Sequence, residues 1–107
     1  MKPSIGRIVH YKLNAADADA INRCRADFAE KRASEGAGST GFQAHVGNSA
    51  EAGQVFPATI VRVFDSEGGT SNLQVTLDGN DTYWATSRRN GDDEGTWAWP
   101  PRVWLTG

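Results

Sequence analysis

The stretch from Leu73 to Pro101 constrains the fold most. Leu73, Val75 and Leu77 alternate with Gln74, Thr76 and Asp78, the period-2 pattern of a strand with one buried face. Asp78-Gly79-Asn80-Asp81 supplies residues that tolerate positive φ, so the chain can reverse there. Thr82 to Ser87 is β-branched and aromatic, as a returning strand requires. An acidic loop leads from Arg88 to Gly95, and a last strand runs near Thr96 to Trp99, stopped by Pro100-Pro101. Three of the four tryptophans, Trp84, Trp97 and Trp99, lie in this stretch. The pattern predicts a small β-rich domain with an aromatic pocket or surface.

Upstream, Ile5 to Leu13 reads as a first strand, with Val9, Tyr11 and Leu13 on one face and Ile8, His10 and Lys12 on the other. Asn14 is placed as an N-cap, and Asp17 three residues on makes a shortened capping box. A helix follows from Ala15 to about Ser34, with Ile21, Cys24 and Phe28 as its apolar stripe. Asp19–Arg23 and Asp27–Lys31 have the favourable acid-first i, i+4 order. Gly36, Gly38 and Gly41 end the helix in a Gly-rich link. Phe42, Ala44 and Val46 alternate with Gln43 and His45 in a short strand. Val55 to Phe64 is the strongest strand in the chain. Ile60, Val61, Val63 and Phe64 make it apolar on both faces, which predicts a central position, with Pro57 at its start or at a bulge.

Five short strands, tight turns and one inserted helix predict a mainly β (α+β) fold, a small SH3-like or Tudor-like five-stranded barrel. An OB-like barrel is the competing arrangement. The 107 residues suit one domain, with the helical insertion at about 15–35 and the Gly-rich link at 36–41. Twelve glycines and 38% hydrophobic residues favour a loop-rich β domain over a helical bundle.

Charge and cysteine content narrow the function classes. The formal net charge is −2, so strong duplex nucleic-acid binding is not expected. Residues 1–50 carry seven Lys/Arg against five Asp/Glu, and residues 51–107 four against eight, an asymmetry that helps the halves fold together. Cys24 is the only cysteine, which leaves no intrachain disulfide; on the helix stripe it reads as a core thiol. Met1 to Leu13 carries His10 and Lys12 where a secretory leader needs an apolar run, and no run is long enough to span a bilayer. These features predict a soluble intracellular protein with no membrane partner.

The candidate chemistry gathers at predicted strand ends. His10 and His45 are the only histidines, too few for a zinc site at any familiar spacing, so no metal is expected. No serine sits in a nucleophile elbow, and no Gly-rich phosphate loop is present, so neither a catalytic set nor a cofactor is expected. Asp92, Asp93 and Glu94 read as a solvated acidic run. Arg88-Arg89 ends the Tyr83-Trp84 strand and faces the loop to Trp97 and Trp99. A guanidinium beside aromatic faces can hold a phosphate while a ring stacks on a base. The opposing possibility is that Trp84 and Trp97 fill the core and the arginines are solvated. The ligand-binding set is His10, Tyr11, His45, Asn48, Trp84, Arg88, Trp97 and Trp99.

The segments Gly6-Arg7-Ile8-Val9-His10-Tyr11, Ala58-Thr59-Ile60-Val61-Arg62-Val63, Asn72-Leu73-Gln74-Val75 and Gly95-Thr96-Trp97 with Trp99-Pro100 resemble a group of small phage-encoded proteins. In that group a strand ending in His-Tyr precedes an insertion, and the chain ends in a Gly-Thr-Trp-x-Trp-Pro element. The resemblance implies a phage accessory protein in the cytoplasm of the bacterial host. Some small phage proteins are oligomeric sponges that sequester nucleotide immune signals without cleaving them. By that analogy the expected function is anti-defence sequestration of a small nucleotide-derived ligand by a homo-oligomer. The alternatives are a protein-interaction adaptor built on an aromatic groove, and a nucleotide-degrading enzyme with a histidine as general acid or base.

Overall fold

The computed structural model describes residues 2–34 (side chains to residue 27), 47–65 and 67–101. Six elements follow in order: β1 (Ile8–Lys12), α1 (Ala15–Ser34), β2 (Val55–Asp65), β3 (Thr70–Thr76), β4 (Thr82–Arg88) and β5 (Trp97–Ala98). The strands form one antiparallel sheet in the order β4-β3-β2-β1-β5. The architecture is therefore mainly β with one inserted helix, as the pattern predicts. Closure into a barrel is not seen. Among the described residues β4 and β5 form no ladder, and only an isolated bridge from Asn90 to Trp97 spans that gap. The expected strand at residues 42–46, the link at 36–41 and the tail after Pro101 lie outside the described residues.

β1 starts later than the alternation suggests. Gly6 takes φ +90°, and its N–H donates to the Ile60 carbonyl, so the chain turns before the strand begins. Inward-facing Val9 and Tyr11 pair with Ala58 and Phe56, while outward-facing Ile8 and His10 pair with Thr59 and Pro57. β2 is central, as expected. Ile60 exchanges backbone bonds with Arg7 and Gly6 on the β1 side. By alternation the Pro57 nitrogen faces β3, whose ladder begins only at Ala58 opposite Val75. The missing N–H thus falls beside the end of a ladder, where it interrupts nothing.

One face of the sheet carries the core. Val9, Tyr11, Leu13, Ala58, Ile60, Leu73, Val75, Leu77, Ala85 and Trp97 pack with Ala18 and Ile21 of α1 and with Ala50. The β2 run divides at a register shift after Ile60. Ile60 is fully buried and Val63 packs on the core, but Val61 and Phe64 are exposed, as is Ile8 on β1. An apolar run in a central strand did not mean burial on both faces.

The helix also departs from its apolar stripe. Ile21 is buried, but Cys24 is exposed, which corrects the core-thiol expectation, and the Phe28 side chain lies outside the described residues. The face turned to the sheet runs Ala18, Ile21, Asn22 and Arg25. Asn22 brackets Ala50 through both of its backbone groups, and Arg25 makes a two-pronged bond to Asp81 at 2.8 and 2.7 Å while donating to the Asn48 carbonyl. Polar docking, not hydrophobic periodicity, sets the helix rotation, and Cys24 falls beside that line. The expected Asp19–Arg23 pair forms at 2.6 Å, but both side chains are largely exposed, so it contributes little.

Candidate functional site

Among the described residues two places carry concentrated side-chain chemistry: a buried carboxylate under the sheet and a pocket on its outer face. The first starts from the helix N-terminus. Asn14 Oδ1 accepts the Asp17 N–H at 2.7 Å, and the Asn14 N–H donates to Asp17 Oδ2 at 3.0 Å, so the shortened capping box forms as the spacing predicts. The short Asp17 side chain is fully buried against the sheet. There Oδ2 also accepts the Tyr11 hydroxyl, and Oδ1 accepts Tyr83 at 2.9 Å and Arg88 Nη2 at 2.8 Å. The Arg88 guanidinium lies 5.7 Å from the Tyr11 ring centroid, and its buried Nε has no partner. One carboxylate therefore joins β1, α1 and β4, with a guanidinium to balance its charge.

This centre holds the phenols in their neutral form. The Tyr11 pKa is raised well above its ordinary value by burial first, then by the hydrogen bond to Asp17 and by the Asp17 charge, with Arg88 opposing. Tyr83 shifts the same way, with burial again the largest cause. The unfolded chain loses phenolic protons near pH 10, whereas the folded chain keeps them. The stabilisation is thus fully present below about pH 10 and is lost as pH rises through the folded values. These are the only two tyrosines. Phenolate absorbance should therefore stay low until the protein unfolds in base. Ionisation near pH 10 with native tryptophan fluorescence would show that the phenols are not held by Asp17.

The second place is a pocket of about 190 Å³ lined by His10, Lys12, Val55, Gly91, Asp92, Thr96 and Ala98. Its floor is the outer face where β1, β2 and β5 meet: Ala98 pairs with His10, and Val55 with Lys12. The 91–96 loop forms its wall and is tied to the sheet by backbone bonds. Gly95 N–H donates to the Lys12 carbonyl, Lys12 N–H to the Thr96 carbonyl and Gly91 N–H to the Trp97 carbonyl. Lys12 Nζ donates to the Asp92 carbonyl at 2.8 Å, and Thr96 Oγ1 to the Asp93 carbonyl at 2.6 Å. Gly95 holds φ +82° where the loop meets β1, beside the Asn14 side chain.

The eight sequence-derived site residues do not converge. Tyr11 and Trp97 are in the core. Arg88 is bound to Asp17. Asn48 is a clamp, its N–H donating to the Asp78 carbonyl and its Nδ2 to Asp78 Oδ2 at 2.7 Å. Trp99 packs edge-on against Trp97 with ring centroids 5.3 Å apart. His10 lines the pocket, and Trp84 is 59% exposed on the same outer face, in register with Ile8 through Gln74 and Thr59. His45 lies outside the described residues. Lys12, Val55, Thr96 and Ala98 line the pocket but are not among those eight residues. Their signal was available in the outward phase of β1 and in the Thr96–Ala98 strand, once these were placed side by side.

Among the described residues, no group of three or more His, Cys, Asp or Glu side chains is disposed to hold a metal ion, and no helix is long and apolar enough to cross a membrane. Comparison with protein-family models, curated proteins and solved structures finds no match for this chain.

Proposed function

We propose that the protein is a binding module that docks a segment of a partner protein on the outer face of its sheet, in the manner of an SH3-like adaptor. One observation carries this reading. Ile8, Val55 and Trp84 are 61%, 48% and 59% exposed on a single face, the face that also carries the preformed pocket. Large apolar side chains left exposed along one face offer contacts to a partner. Ile8 and Trp84 stand in one cross-strand row with the uncharged Thr59 and Gln74 between them.

The pocket volume weighs on the choice of ligand. Small-molecule sites usually occupy about 300–1,000 Å³. A pocket of about 190 Å³ matches one amino-acid side chain better than a nucleotide. Sequestration of a nucleotide signal is the competing proposal, and exposed Trp84 is the stacking surface it would use. If the phage resemblance holds, the partner segment belongs to a bacterial host protein.

A random peptide library selected on the full chain, followed by amide chemical-shift mapping, tests the proposal. Selected peptides should shift Ile8, Val55 and Trp84 and leave Tyr11 and Trp97 in place. Mononucleotides and cyclic dinucleotides form the second arm, with mass spectrometry of any ligand released by heating. An intact nucleotide bound on this face would replace the adaptor reading with sequestration, and a cleaved one would replace it with an enzyme. No binding in either arm would remove the surface from consideration.

A further inference from the structure

We infer that the pocket between β1, β2 and the 91–96 loop seats one apolar side chain of a segment whose neighbouring residues are Lys or Arg. The inference rests on the docking reading above and names the chemistry of the partner.

The shape of the pocket suits a small apolar side chain. Val55, Ala98 and the Lys12 methylenes offer carbon surface, and Thr96 closes one wall. The wall is set in place before any ligand arrives. Thr96 is bonded to Asp93 through both its N–H and its hydroxyl, and the loop is pinned to β1 through Lys12 and Gly95. Gly91 matters here, because a Cβ on it would come within 3.2–3.3 Å of the Thr96 side chain. A pocket held open in this way spares a ligand most of the ordering cost of binding.

The charge around the pocket suits cationic flanks. Asp92, which lines the pocket, and its neighbours Asp93 and Glu94 are all exposed, which makes this side of the rim acidic. Glu94 also reaches toward Gly53 in the segment that leads into β2, so the rim curves round to the Val55 side. Lys12 is the one Lys or Arg among the lining residues, and its ammonium is turned to the Asp92 carbonyl. Three exposed carboxylates on this loop outnumber the one engaged ammonium, so the rim attracts cationic flanks and repels phosphate or acidic ones.

Three acetylated, amidated peptides test this on the intact protein: Gly-Lys-Leu-Lys-Gly, Gly-Glu-Leu-Glu-Gly and Gly-Lys-Gly-Lys-Gly. The first should bind best, roughly five- to tenfold better than the acidic-flanked peptide at low salt. Its lead over the peptide without leucine should be about tenfold or more. Ala98→Leu, which fills the pocket, should abolish the leucine preference. Asp93→Asn with Glu94→Gln, both at exposed sites, should abolish the flank preference and its salt dependence while the melting temperature stays unchanged. The inference is overturned if acidic flanks win, or if neither set of changes alters the preferences. In that case, shifts at Trp84 with any selected peptide would leave the docking reading standing. Failure of every peptide to bind would overturn both.

Discussion

Asp17→Ala should cost about 3–5 kcal/mol of folding stability, the loss that follows when one partner of a buried ion pair is removed. The carboxylate accepts from the Tyr11 and Tyr83 hydroxyls, the Asn14 N–H and Arg88, and a methyl group replaces none of those acceptors. The fully buried Tyr11 hydroxyl suffers most, because it cannot turn to water. Arg88 suffers less: its side chain is 24% exposed and can swing outward, which draws the total toward the lower end. Asp17→Asn keeps the shape and one carbonyl acceptor and should lose less than Ala. Tyr83→Phe removes one half-exposed bond and should lose about 1 kcal/mol. Denaturant melts of the series check the order. A loss below 1 kcal/mol for Asp17→Ala would show that the centre does not join helix and sheet.

This centre also marks where sequence reasoning stops. Asn14 and Asp17 are legible as a cap because both partners lie within one turn of chain. That the same carboxylate serves Tyr83 and Arg88 is not legible, since those contacts span 66 and 71 residues and depend on sheet order. Alternation locates β1 and β3 to within a few residues, because each has one wet face and one dry face, and β-branched and aromatic content after a turn locates β4. The apolar run places β2 and its central position correctly but not the burial of Val61 and Phe64, which are exposed, because composition cannot show whether a second layer covers the outer face. The helix stripe failed for a related reason. Asn22 and Arg25 face inward as partners of Ala50 and Asp81, and a search for apolar periodicity passes over residues that dock by hydrogen bonds. The aromatic–arginine cluster was sound as a list of unusual residues, but residues that gather near strand ends in sequence need not share a face. Odd positions of β1 point into the core and even ones to the outer face, where His10 and Lys12 line the pocket. Tyr11 and His10, adjacent in the chain, therefore end on opposite sides of the sheet.

The tryptophans give the sharpest separation between core and surface. Trp97 is 1% exposed, donates Nε1–H to the Gly69 carbonyl at 2.8 Å and meets Trp99 edge-on at 88° between ring planes. Its ring lies against Gly69, where φ is +71° and a Cβ would come within 2.8 Å of it, so the β2–β3 turn and the indole are fitted to each other. Trp97→Ala should therefore cost about 3–5 kcal/mol. Trp97→Phe, which keeps a ring but not the donor, should cost less. Trp84 makes the contrast: at 59% exposure its removal should change stability by no more than about 1 kcal/mol, the span of strand propensity. If the outer face binds a partner, however, Trp84→Ala should weaken that binding while the melt stays in place. Melting and calorimetry on the two alanine variants, side by side, give the answer. A Trp84→Ala protein that unfolds like Trp97→Ala would make Trp84 part of the core, and the outer face would lose its largest contact for a partner.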